Sequence, residues 1–299
     1  MKKALKSSDK LHVQIIITVW VTVCVIFCLI PLFITFLNAF KSSSEIEYSI
    51  FALPKWSTLG SNIKLNFKEA WSGGVLLTNT SGISAYFART IFLALLGGAL
   101  DCMIGAVLGY IFTYKEFHFK EGIFMTFIAV MMLPAIMGMP ILVPFMKNTL
   151  GLADTYIGYL LPNIAGGQVG ALFLFRTFFG QQPKSIYESA QIEGANDLQI
   201  LMRLTGPLAF PIILYKFVGT FGSLYNDYLW PSLIMTENQL LMPQMLQLQV
   251  SYSGDSGLSV TAKGAMYAMY ILSSIPLIFT SAISMKFFSS GDFAAGIKL

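Results

Sequence analysis

From Leu11 to Asn38 the chain runs for more than 25 residues with almost no charge. A bilayer core is crossed by about 20 apolar residues in a helix, the one open-ended form that satisfies every backbone group without water. The run is therefore expected to be a membrane span. Four lysines in residues 1–10 precede it. A basic start also opens a secretory signal, but this run is too long and lacks a small-x-small cleavage site. It is expected to be retained, with residues 1–10 on the cytoplasmic side.

Comparable stretches recur at about 86–113, 122–146, 156–179, 207–235 and 264–287. Charged residues make up 11% of the chain and hydrophobic ones 55%, whereas about a quarter of a soluble domain is charged. Composition thus excludes a soluble enzyme. It predicts an all-α membrane protein, a six-span transmembrane domain over 11–288 and a cytoplasmic tail at 289–299. On that topology twelve Lys and Arg fall inside, counting Lys216 near the start of the fifth span, and seven fall outside. The bias puts both termini in the cytoplasm. A net charge of +4 spread over short loops argues for orientation in the bilayer and not for nucleic-acid binding.

Several polar or irregular features interrupt the spans. Asp101 lies near the centre of the second, where a carboxylate must be paired, watered or protonated and should face the bundle interior. It is either a proton-relay or substrate group, or a hydrogen-bonding partner for a neighbouring helix. Pro134, Pro140 and Pro144 break the third span and free carbonyls that other helices or water must satisfy. Cys24, Cys28 and Cys102 sit in apolar stretches without a histidine or third ligand, so they read as packing residues and no metal is expected. Residues 41–85 and 236–262 are the long outer loops. Asn79-Thr80-Ser81 has glycosylation spacing, read as chance.

Residues 183–211 form a polar island in this apolar chain. Ser185 with Glu188, and Asn196 with Gln199, each have capping-box spacing. Gly194 separates them, and Thr205-Gly206-Pro207 is expected to stop the second helix. The spacing predicts a helix-turn-helix over 183–206. In its second helix Leu198, Leu201 and Met202 share one apolar face. Such a stripe packs on the membrane surface, on the chain's own bundle, or on a partner.

Glu188-Ser189-Ala190, with Gly194 and the later Gly206-Pro207 and Pro211, resembles the Glu-Ala-Ala loop of membrane subunits of binding-protein-dependent ABC importers. The resemblance implies a type I transmembrane domain whose coupling helix docks into a cytoplasmic ATPase. It implies Glu188 as the charged contact, Ser189 in place of the family's first alanine, Ala190 and Gly194 as small positions permitting close approach, and Asp197 and Arg203 as rim contacts. Further similarity runs through Phe40-Lys41 to Ile46, Asn66-Phe67 to Trp71, Leu133 to Pro144, Gly151-Leu152 to Thr155, and Arg176 to Phe179. The tail from Gly291 to Lys298 is similar to that of the maltose-type branch, one residue shorter between Gly296 and Lys298.

Tyr225-Asn226-Asp227-Tyr228-Leu229-Trp230-Pro231 resembles a box common in the carbohydrate branch of these permeases. Asn226 and Asp227 can hydrogen-bond sugar hydroxyls, and Tyr225, Tyr228 and Trp230 can stack on sugar rings. The same residues also fit an interfacial aromatic belt ended by a proline. No Gly-x-x-x-x-Gly-Lys-Ser/Thr loop and no catalytic set is present.

The resemblance implies a non-enzymatic permease of the bacterial cytoplasmic membrane, importing a sugar or oligosaccharide. Its implied partners are a second homologous permease, two ATPase subunits that hold ATP and Mg²⁺, and an extracytoplasmic solute-binding protein. The alternatives are a permease for another small polar solute, an ion-coupled transporter using Asp101 and Asp227, and a membrane scaffold.

Overall fold

The computed structural model describes residues 7–73, 82–253 and 263–289, and its regular elements are helical. The chain divides into two units: described residues of 1–84 and 254–274, and those of 85–253 and 275–299.

The first unit opens with α1 (Ser7–Ala39), whose apolar side chains from Val13 to Phe36 are largely exposed around the helix. A helix apolar on all sides belongs in lipid. Its end is held by Lys41, a lysine with no exposed surface, which donates from Nζ to Asn38 Oδ1 (3.0 Å) and to the carbonyls of Ser49 (3.2 Å) and Ile50 (3.1 Å). Burial pushes the Lys41 ammonium below its ordinary pKa, and Glu45 pulls the other way. The short α2 (Ser43–Tyr48) carries a Ser42–Glu45 capping box, and α3 (Leu59–Ser72) supplies Asn66. The Asn66 amide donates to the carbonyls of Ala39 (2.8 Å) and Lys41 (2.9 Å), closing the outer segment onto the end of α1.

The second unit is built on α4 (Ser84–Tyr114), 31 residues without a proline. Its glycines permit close packing: a methyl on Gly98 would lie 3.2 Å from the Phe217 ring. Next comes α5 (Lys120–Met131), then a 3₁₀ turn (Ala135–Gly138), α6 (Met139–Pro144) and a π turn (Phe145–Thr149). The halves Lys120–Met131 and Ala135–Thr149 are bent by 87° at the break before Ala135. Pro134 lacks the helical donor and disfavours helical backbone at Leu133. The long α7 (Tyr156–Phe179) starts at Thr155, whose hydroxyl accepts from Gly158 N (3.0 Å). In its last turn Arg176 is paired with Glu121 (2.5 Å) and lies 4.0 Å over the Phe124 ring.

The polar island follows as α8 (Lys184–Ile192) and α9 (Asp197–Ile200), continued by a π turn (Leu201–Thr205) and α10 (Gly206–Leu208). Then come α11 (Phe210–Asn226), α12 (Leu229–Ile234), α13 (Leu241–Ser253) and α14 (Lys263–Ser289). Asp197–Leu208 and Phe210–Asn226 are bent by 82°. Among the described residues four helices are long and apolar enough to cross a membrane, and counting each bent pair as one crossing gives six.

Four local expectations are corrected. The Ser185–Glu188 capping box does not form, because Pro183 takes the cap position and α8 starts at Lys184. Thr205-Gly206-Pro207 does not stop the second helix. The π turn lets Gly206 N reach the Leu201 carbonyl, so Pro207 enters a new first turn, where its missing donor costs nothing. The break falls instead at Ala209. The fifth span is not continuous over 207–235, since Asp227 leaves helical backbone between α11 and α12. The 236–262 loop contains α13. The tail after Ser289 and the Asn79-Thr80-Ser81 pattern lie outside the described residues.

Candidate functional site: a clamped polar loop and a polar cavity

In the polar island the Asn196–Gln199 capping box is present, with both hydrogen bonds at 2.9 Å. Gly194 sits at φ +85°, and a Cβ there would meet nothing within 4 Å. The chain's own fold thus requires glycine for its backbone conformation. Glu188, Ser189 and Arg203 are exposed, while Ala190 packs against a core of Tyr110, Phe175, Phe179, Tyr187 and Ile200. Of the apolar stripe, Leu198 and Met202 remain 62% and 67% exposed.

Asp197 has internal partners. Its Oδ1 accepts from Lys115 Nζ (2.6 Å) and from the buried Tyr110 hydroxyl (3.0 Å), both at the end of α4. Lys115 also reaches the Tyr187 hydroxyl (3.3 Å), and the Tyr187 ring stacks on Tyr114 at 4.4 Å. The Lys115 hydrogen bond, helped by Tyr110 against partial burial, holds the Asp197 carboxyl below the usual range. The same bond to Asp197 raises Lys115. This clamp fastens α9 to the end of α4, and sequence reasoning missed it because its halves are 82 residues apart.

The second place is a cavity of about 330 Å³ beside α4, α7 and α11. Asn163, Tyr215, Lys216, Thr220 and Ser223 line it, with Gly167 and Gly219. At its wall Asp101 is fully buried and ion-paired with Lys216 of α11. Its Oδ2 also accepts from the Thr220 hydroxyl (2.6 Å), and its Oδ1 from Gln168 Nε2 (2.9 Å). Lys216 thus lies on α11 in an ion pair with Asp101, and removing it from the inner count leaves eleven against seven. Along α11 Tyr215, Gly219, Ser223 and Asn226 are exposed on one side. The signal was legible as polar residues at helical spacing inside an apolar run.

The Tyr225–Pro231 box serves largely inside the fold. Tyr225 and Trp230 are buried, and Trp230 Nε1 donates to the Gly158 carbonyl (3.3 Å). Asp227 Oδ1 accepts from Trp230 N (3.3 Å), capping α12, and the Asn163 side chain also bonds Asp227. Asn226 turns back to its own helix at Gly222 O (2.9 Å), and Tyr228 is 52% exposed. Asp101 is the one sequence candidate that stands at the cavity. Among the described residues no group of three His, Cys, Asp or Glu could hold a metal.

Against this geometry, residues 102–291 match the model for the binding-protein-dependent transport system inner membrane component. The chain belongs to that family. It is a multi-pass membrane component of a transport system. The permease is 23% identical over 96% of its length to the diacetylchitobiose uptake permease NgcG of Streptomyces coelicolor, covering 89% of that protein. It is 27% identical over 88% of its length to the sn-glycerol-3-phosphate transport permease UgpE of Escherichia coli O1:K1, covering 90% of it. Its fold matches a chain of a bacterial ABC transporter that imports the acidic polysaccharide alginate, with a TM-score of 0.78. That match covers 96% of this chain and 100% of the other at 21% identity.

Proposed function

We propose that this permease passes a carbohydrate across the cytoplasmic membrane as one subunit of an ATP-driven importer. The observation that carries the reading is the polar side of α11 with its cavity, in a chain of this transport family. Tyr215, Ser223 and Asn226 on a membrane helix are costly against lipid, so a pathway or a second permease is their natural neighbour. Asn163, Ser223 and Tyr215 offer both donors and acceptors to hydroxyl groups, and an aromatic face to a sugar ring. A cavity of about 330 Å³ is at the small end of ligand sites and fits one or two sugar units at a time. The named solutes of the relatives, diacetylchitobiose and sn-glycerol-3-phosphate, and alginate for the structural neighbour, are hydroxylated and of both neutral and anionic kinds.

In this reading α8 and α9 are the coupling segment. Glu188, Ser189, Gly194 and Arg203 face an ATPase that holds ATP and Mg²⁺, and a second permease and a solute-binding protein complete the complex. Closure of the ATPase pair moves residues 186–204 and tilts the spans between inward- and outward-open states. Both termini lie in the cytoplasm.

The test is purification from the native membrane in mild detergent, followed by uptake and hydrolysis assays on the reconstituted complex. Expected are co-purifying ATPases, a second permease, binding-protein-stimulated hydrolysis, and loss of sugar uptake in Ser223→Trp with hydrolysis retained. A chain that purifies alone yet supports gradient-driven uptake would refute the reading and favour ion coupling.

A further inference from the structure

Resting on the reading of the cavity as the solute pathway, the geometry points to a narrower substrate class. We infer that this subunit's pathway is built for an uncharged, hydroxylated solute, and that Asp101 sets this by cancelling the charge of Lys216. Lys216 is the cation among the residues lining the cavity, and its side chain is 18% exposed there. Left unpaired in an apolar bundle, that ammonium would be an anion site. It is not unpaired. Asp101, 1% exposed, lies against it, and Thr220 bridges the two by bonding Lys216 Nζ (2.9 Å) and Asp101 Oδ2 (2.6 Å).

The pair is a fixed part of the fold. Asp101 is also held by Gln168, and a methyl on Gly167 would lie 2.7 Å from Asp101 Oδ1, so only glycine leaves room for the carboxylate. Moving the proton from one partner to the other would leave the pair neutral as well. Asp227, which accepts from Trp230 N and bonds the cavity-lining Asn163, adds no positive charge. An incoming carboxylate or phosphate therefore meets no uncompensated positive charge, while its own desolvation goes unrepaid. The other polar groups that line the cavity are neutral: the Asn163 amide and the Tyr215, Thr220 and Ser223 hydroxyls.

The cavity's charge can be read without knowing the solute. In the importer in its native membrane, with Cys24, Cys28 and Cys102 replaced by serine, Ser223→Cys is modified with methanethiosulfonates of matched size, one anionic and one cationic. The ratio of their rates is normalised to the ratio on a free thiol. Expected is a ratio within about fivefold of unity, rising in the Asp101→Asn background in favour of the anionic reagent. A unit charge ~6 Å away speeds one reagent and slows the other by about threefold each in a water-filled cavity, so the ratio changes by about tenfold there and by far more in a drier one. Lys216→Met in the original background should shift it towards the cationic reagent, and Asp101→Asn with Lys216→Met should return it to unity.

A ratio already favouring either charged reagent by more than about fivefold with the pair intact overturns the inference, and that reading needs neither charge variant to fold. An unchanged ratio in Asp101→Asn removes Asp101 as the determinant. The outcome is separable from the pathway reading, which fails if uptake of neutral sugars survives Ser223→Trp whatever the charge ratio.

Discussion

Replacing Asp197 with asparagine should loosen the α8–α10 segment, the proposed coupling segment, without disturbing the bundle. The carboxylate makes two contacts to the end of α4, with Lys115 at 2.6 Å and Tyr110 at 3.0 Å. The ion pair is well hydrated, its side chains 37% and 51% exposed, so its contribution is discounted to about 0.5–1 kcal/mol. Asparagine keeps an acceptor for the buried Tyr110 hydroxyl, and the change from a charged to a neutral acceptor costs about 1 kcal/mol. Together these give about 1.5–2 kcal/mol, or about ten- to thirtyfold in the ratio of docked to released segment.

Hydrogen exchange across residues 184–208 should accelerate by that factor, and reconstituted importer should hydrolyse more ATP per solute moved. A double-mutant cycle with Lys115→Met should return a coupling of about 0.5–1 kcal/mol. Unchanged exchange together with an unchanged hydrolysis-to-transport ratio would refute the clamp. The pH dependence follows from the two shifts. Asp197 is depressed, so its contribution is complete above the ordinary carboxylate range and lost as pH falls through the lower folded value. Lys115 is raised, so its contribution is complete below the ordinary lysine value and lost as pH rises through the higher folded one. Protection of 184–208 should be flat between about pH 5 and 9.

Three further outcomes are expected. Gly194→Ala places a Cβ on backbone at φ +85° and should cost about 1–2 kcal/mol locally, lowering transport, with Gly194→Asn milder; equal uptake by all three would count against the turn. Gly167→Val drives a side chain into the Asp101 carboxylate and should lower the melting temperature of the complex by several degrees, measured by a thermal shift in detergent; Gly166→Val, in open space, should not. Asp154→Ala removes the acceptor for Thr236 N (2.5 Å), Glu237 N (2.7 Å) and the Thr236 hydroxyl (2.8 Å), and should cost about 2–3 kcal/mol in a denaturant titration of the second unit. Burial pushes Asp154 up but those bonds outweigh it, so the anchoring holds above about pH 4 and fades as pH falls through the depressed value.

The apolar runs were legible because lipid leaves one choice of backbone, and Gly194 and the Asn196–Gln199 box because their signals are local. Tertiary features were not. Asp101 was visible as a buried carboxylate, but its partner Lys216 was read only as an inner-side charge near the start of the fifth span, because the two are 115 residues apart and nothing local pairs them. The Tyr225–Pro231 box drew attention by its chemistry, yet Tyr225 and Trp230 are buried inside the fold. Tyr215 and Ser223 escaped notice because each alone is an ordinary residue for a span, and only their helical spacing sets them on one side.

One uninterrupted helix, α4, carries both ends of this arrangement. Asp101 lies 14 residues before Lys115, about 21 Å along the axis. No proline or break intervenes. It behaves as a connecting rod: any tilt imposed on the Lys115 end must also displace the Asp101 carboxylate relative to Lys216 and Gln168. On the proposed reading, solute selectivity and energy input share a single moving part, and a mutation that retunes one will tend to detune the other.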